Sequence, residues 1–106
     1  MICRYFIHLA YDGTLFHGWQ RQNNADTIQG EIENKLGTLL KEPINIVGAG
    51  RTDAGVHAKS YYAHFDFERI DHDYLNSIVY KLNSFLPQSI SIFSIKEVSL
   101  DLHARF

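Results

Sequence analysis

A single cysteine, Cys3, among 106 residues rules out an intramolecular disulfide and any cysteine-based zinc knuckle. That usage fits a reducing, cytoplasmic setting. Proline occurs only twice, and both Pro43 and Pro87 fall where an apolar helical stripe stops. No apolar run is long enough to cross a membrane, and Met1-Ile2-Cys3 gives way at once to Arg4 instead of a signal-peptide core, which disfavours membrane insertion and secretion. Basic residues are not in excess either: 12 Asp+Glu against 10 Lys+Arg give a formal net charge of -2. Nucleic acid held by bulk charge alone is therefore disfavoured, although a local basic patch stays open. What the chain does have is six Tyr, seven Phe and six His within a 45% hydrophobic composition, enough to fill one core and too apolar for a disordered tail.

Periodicity orders the chain. Arg4 to Tyr11 alternates as a strand with Tyr5, Ile7 and Leu9 on one face. Asp12-Gly13-Thr14 turns the chain, and a polar loop runs to Asp26, which is placed to cap a helix with Gln29 three residues on. Ile28, Ile32, Leu36, Leu39 and Leu40 form the apolar stripe of that helix, which Pro43 closes. Ile44 to Ala49 and Ser60 to Phe67 read as the second and third strands; on the third, Tyr61, Ala63, Phe65 and Phe67 face opposite to Tyr62, His64 and Asp66. Asp71 or His72 opens a second helix with Leu75, Ile78, Val79, Leu82, Phe85 and Leu86 on its apolar face, and Pro87 stops it. Ile90 to Val98 is a fourth, imperfectly alternating strand, and Leu100 to Phe106 starts another extended piece.

Strand, helix, strand, strand, helix, strand predicts an α+β, ferredoxin-like split βαβ sandwich: a four-stranded antiparallel sheet with two helices on one face, plus a terminal extended segment. The other, aromatic face must be covered or used. The chain stops at Phe106 straight after a strand-like segment, which predicts one domain, residues 1–106, of a truncated longer chain.

The densest chemical signal is the loop 50–59, which holds Gly50-Arg51-Thr52-Asp53-Ala54-Gly55-Val56-His57-Ala58. Two glycines allow tight backbone paths on either side of a carboxylate, and Arg51 is near enough in sequence to pair with Asp53 and keep it ionised. An ionised carboxylate there serves as nucleophile or base, whereas the same spacing alone also describes a solvated turn with a surface ion pair. His57 either orients the loop or touches phosphate, and the six histidines show no zinc-ligand spacing, so no metal is expected. Asp12 serves first as a turn residue, Trp19 plugs a core edge or stacks on a base, and Gln20 can meet a base edge.

Taken together, Y-D-G-T-x-F-x-G-W-Q at Tyr11 to Gln20, T-I-Q-G at Thr27 to Gly30, G-R-T-D-A-G-V-H-A at Gly50 to Ala58, L-N-S-F-L-P at Leu82 to Pro87 and H-A-R-F at His103 to Phe106 resemble, in order, the amino-terminal half of the tRNA pseudouridine synthase A family. The resemblance implies isomerisation of uridine to pseudouridine in the tRNA anticodon stem-loop, at tRNA positions 38 to 40, with no metal or organic cofactor. It implies that Asp53 is the catalytic aspartate and that Arg51 positions the carboxylate and the flipped nucleotide. It makes Tyr11, Asp12, Gln20, His57 and Arg105 candidates for RNA contact or loop support. It also implies three partners: tRNA, a carboxy-terminal domain of the same protein, and a second copy in a homodimer.

Two stretches depart from the family pattern: Lys59-Ser60-Tyr61-Tyr62 stands where a Gly-Gln pair often leads into the strand, and Gln88-Ser89 where an acidic residue commonly follows Leu-Pro. The competing expectations are a non-catalytic ferredoxin-like RNA-binding module and a structural or oligomerisation domain. The first explains the loop poorly and lacks the aromatic RNA-recognition pattern K/R-G-F/Y-G/A-F-V-x-F/Y; the second is told apart by whether Asp53 sits in a concave, RNA-sized cleft or on an ordinary exposed turn.

Overall fold

The computed structural model describes residues 1–12, 27–49 and 58–104. Its elements are β1 (Ile2–Tyr11), α1 (Ile28–Leu40), β2 (Val47–Gly48), β3 (Ala58–Glu68), α2 (His72–Phe85) and β4 (Ile90–Val98). The strands form one antiparallel sheet in the order β2-β3-β1-β4. This is the expected ferredoxin-like arrangement, with both helices on one face of an open sheet.

The core follows from alternation meeting helical periodicity. Tyr5, Ile7 and Leu9 of β1 and Ala63 and Phe65 of β3 are buried against Ile32 and Leu36 of α1 and Ile78 and Leu82 of α2. At the centre, the Tyr5 and Phe65 rings stack with centroids 5.4 Å apart. The Ile70 N–H donates to the buried Tyr5 hydroxyl oxygen at 2.7 Å. Burial pushes that phenol's pKa up, and the Ile70 amide partly opposes the shift.

Several boundaries differ from expectation for local reasons. Asp26 lies outside the described residues, and the residue that caps α1 is Thr27, whose hydroxyl oxygen accepts from the Gly30 N–H at 3.2 Å. At the other end the helix stops at Lys41, in the left-handed region with φ 61°, before Pro43 is reached. The chain doubles back so closely there that a Cβ on Gly37 would meet the Glu42 carbonyl oxygen at 3.1 Å.

Only Val47 and Gly48 of the expected second strand join the sheet, because the backbone of Ile46 is engaged by α1. Phe85 is exposed, and Leu86 takes the core position at the end of α2. The uneven alternation of β4 is a bulge: His8 pairs with Ser94 but Leu9 pairs with Ile92, leaving Phe93 as the extra residue. The expected terminal extended segment joins no strand up to residue 104 and opens on a turn at Leu100 and Asp101. The Leu102 N–H donates to the Ser99 carbonyl at 3.0 Å and the Asp101 N–H to the Ser99 hydroxyl at 3.3 Å, so these groups bond within their own segment rather than to a strand.

Candidate active site

Three strand ends meet at one edge of the molecule. Tyr11, the last residue of β1, pairs with Ala58, the first of β3, and with Ile90, the first of β4. β2 runs towards the same edge, where the Ala49 N–H donates to the Tyr62 carbonyl at 2.9 Å. Ala49 and Ala58, which flank residues 50–57 in the sequence, and Asp12, which precedes residues 13–26, therefore all lie at this edge. The β1–β3 ladder has a register irregularity between Leu9 and Tyr11 at the same edge.

Of the residues singled out by sequence, Tyr11 and Asp12 are placed. The Tyr11 ring is buried edge-to-face against Tyr61, with centroids 5.7 Å apart. Asp12 is exposed, and its backbone N–H donates to the Ser89 carbonyl at 2.7 Å, which ties the end of β1 to the turn before β4. Gln20, Arg51, Asp53, His57 and Arg105 lie outside the described residues.

An open depression of about 570 Å³ is lined at this edge by Ala10, Tyr11, Asp12, Lys59, Gln88, Ser89 and Ser91. The two stretches that depart from the family pattern, at Lys59 and at Gln88-Ser89, both contribute to it. A cation, a carboxylate and several hydroxyl and amide groups suit the phosphates and ribose hydroxyls of RNA.

Sequence reasoning missed the clamps that hold the loop's flanks. Gln29 of α1 donates from Nε2 to the Ile46 carbonyl at 2.8 Å, and the Glu33 carboxylate accepts the Ile46 N–H at 2.7 Å. These two side chains, one helical turn apart, fix the segment that leads through β2 into residues 50–57. Thr27 caps the helix and Gln29 clamps the strand, so the T-I-Q-G motif acts structurally. Asn83 does the same for β4: its side-chain amide donates to the Ile92 carbonyl at 2.9 Å and accepts the Ile92 N–H at 2.8 Å, next to the bulge. The signal available in sequence was a polar residue set within or beside each apolar helical stripe.

The open sheet face carries aromatic and histidine side chains. His8 stacks on Tyr62 at 4.4 Å with an interplanar angle of 4°, takes the edge of Phe93 at 5.0 Å, and its Nε2 hydrogen-bonds the Ser60 hydroxyl at 2.8 Å. Farther from the loops, Arg4 makes a two-pronged pair with Asp66, Nε to Oδ1 at 2.8 Å and Nη2 to Oδ2 at 3.0 Å. The guanidinium holds the Asp66 carboxyl below its usual range, and burial lowers the pKa of His64 beside it. No group of three or more His, Cys, Asp or Glu arranged to hold a metal occurs among the described residues.

Comparison with known proteins places this arrangement. A family model described as tRNA pseudouridine synthase matches residues 7–106. The chain is similar to tRNA pseudouridine synthase A of Bacteroides fragilis, 50% identical over 103 residues that cover 97% of this chain and 40% of that protein. It is likewise similar to the proteins of the same name from Porphyromonas gingivalis, 43% identical over 99% of this chain and 42% of the relative, and Coxiella burnetii, 44% identical over 99% and 40%. The chain thus spans about two fifths of the length of the curated relatives it matches.

Proposed function

Because the chain belongs to the tRNA pseudouridine synthase family, we propose that it supplies the catalytic-aspartate wall of an enzyme that converts uridine to pseudouridine in the tRNA anticodon arm. The observation that carries this reading is the match over residues 7–106, which includes the whole Gly50 to Ala58 motif.

The reaction breaks the bond between ribose C1' and uracil N1, turns the retained base, and joins C5 to C1'. The proton on C5 is lost and N1 gains one, so substrate and product are isomers and no external reagent is consumed. Asp53 acts either by attacking C1', giving a covalent ester that the base then displaces, or by removing the C2' proton to give a glycal that is reprotonated afterwards. Arg51 keeps the carboxylate ionised and helps hold the nucleotide out of the stack. Tyr11, Asp12, Gln20, His57 and Arg105 contact RNA or support the loops.

The partners under this proposal are tRNA, the remaining part of the protein as the other wall of the cleft, and a second copy in a cytoplasmic homodimer. The 106-residue chain by itself is inactive. Turnover of an unmodified anticodon stem-loop by the chain alone, measured as pseudouridine in digested RNA, would refute that; restored activity on adding the second half supports it.

A further inference from the structure

Three rings cross the open sheet face in one row: Tyr62 of β3, His8 of β1 and Phe93 of β4. His8 is the fixed centre. Tyr62 stacks on it almost parallel with centroids 4.4 Å apart, Phe93 meets it edge-on at 5.0 Å, and the Ser60 hydroxyl hydrogen-bonds its Nε2 at 2.8 Å. Phe93 is aimed at this row because it is the bulged residue of β4, and Asn83 holds the strand there through both backbone groups of Ile92. The two outer rings stay open to solvent, Tyr62 at 43% and Phe93 at 52%. On the β2 side the position next to Tyr62 is Ala49, whose N–H donates to the Tyr62 carbonyl and whose methyl group is too small to cap a phenol ring. Residues 102–104 fold back over the end of the face around Arg4 and His64, where Arg4 Nη1 donates to the Leu102 carbonyl at 2.6 Å and the Ala104 N–H donates to His64 Nδ1 at 3.1 Å. That tail leaves the row uncovered.

Charge is divided between the two sides of the sheet. The ladders place Arg4 and Lys96 on the open face, Lys96 opposite Phe6. The carboxylates that they place there, Asp66 and Glu68, are each taken up by a cation, Arg4 at 2.8 Å and the amino terminus at 3.1 Å. Glu31 and Glu33 lie in α1, and Asp71 and Asp73 at the start of α2, in the opposite layer. A chain of net charge -2 thus turns its helices, with their acids, away from the ring row. An apolar protein surface would have to desolvate an imidazole and the Ser60 hydroxyl in this row, whereas a nucleobase offers a flat π-surface with polar edges and suits both. We propose that the row is a stacking platform for unpaired bases of RNA: one base stacks on the outer face of Tyr62, extending the His8–Tyr62 stack, and a second lies against Phe93. That the RNA is tRNA rests on the function proposed above; the platform itself requires only unpaired bases.

The test uses the full-length enzyme and an anticodon stem-loop RNA carrying 5-iodouridine at unpaired positions, which crosslinks on irradiation to a ring stacked against it. Crosslinks mapped by mass spectrometry to Tyr62 and Phe93 are expected, and because they are read on the wild-type protein they decide the matter even if a variant fails to fold. Tyr62→Ala and Phe93→Ala should each raise Kd for the unsubstituted stem-loop about tenfold and leave the slope of log Kd against log salt unchanged, since stacking releases no counterions. Tyr62→Phe, which keeps the ring, should bind as wild type does. A duplex of the stem alone has no unpaired base and should bind the wild type and both alanine variants equally. Crosslinks confined to other residues, or a Kd within about twofold of wild type in both alanine variants, overturns the platform. So does an equal loss of stem-loop and duplex binding, which would mean that the face is packed against the rest of the protein. Alanine variants that bind normally and form pseudouridine at the wild-type rate would remove the platform and leave the proposed function standing. Crosslinks at Tyr62 and Phe93 in an enzyme that forms no pseudouridine would do the reverse.

Discussion

Lys41 shows how one residue can hold a conformation that its side chain opposes. Its φ of 61° ends α1 and lets its N–H bond to the Gly37 carbonyl, but a side chain at that angle strains the backbone. Lys41→Gly should raise stability by about 0.5–1 kcal/mol after allowing for the greater freedom of glycine in the unfolded chain, as read by urea denaturation. His64 sets a pH dependence at the same scale. Its folded pKa lies below its ordinary value of 6.5, so it contributes stability above that pH and loses it as pH falls from there through the folded pKa. Asp66, lowered from 3.8 chiefly by its Arg4 hydrogen bond, keeps its contribution down to about pH 3.8 and loses it as pH falls from there through its folded pKa. Between pH 7.5 and 5, His64→Asn should therefore destabilise less than wild type does. These details were illegible in sequence because each depends on a partner far along the chain: 40 residues separate His64 from Ala104.

At the scale of elements, the strands and helices were legible because apolar residues recur at the spacing that each element buries. Tyr5, Ile7 and Leu9 face the core as alternation required, as do Ile28, Ile32 and Leu36 at helical spacing. Errors arose where a side chain claimed backbone that periodicity assigned to a ladder. Gln29 and Glu33 hold Ile46, so β2 shrinks to two residues, and Asn83 holds Ile92, so β4 bulges. Asn83→Ala leaves both polar backbone groups of Ile92 without that partner and should cost about 2 kcal/mol. Hydrogen exchange would show the loss first at β4, ahead of the β1–β3 ladder. Wild-type protection at Ile92 in the variant would show that the clamp is dispensable.

At the scale of the whole molecule, the architecture brings the residues flanking two polar segments, Asp12, Ala49 and Ala58, to one edge of a sheet whose open face is aromatic. Tyr62 and Phe93 remain 43% and 52% exposed there despite the folded-back tail. The family was legible because the Gly50 to Ala58 motif is specific, whereas the function of T-I-Q-G and L-N-S-F-L-P as clamps required the contacts of Gln29 and Asn83 to be seen. The net charge of -2, an argument against RNA when spread over the chain, weighs less once Lys59 is found beside the loop edge. The most direct measurement compares wild-type and Asp53→Asn full-length enzyme on tRNA lacking pseudouridine, recording RNA binding and product from the same preparations. Binding within about threefold of wild type, with turnover reduced by more than about a thousandfold, is the predicted result. Turnover within about tenfold of wild type would contradict the assignment of Asp53 and with it the central claim.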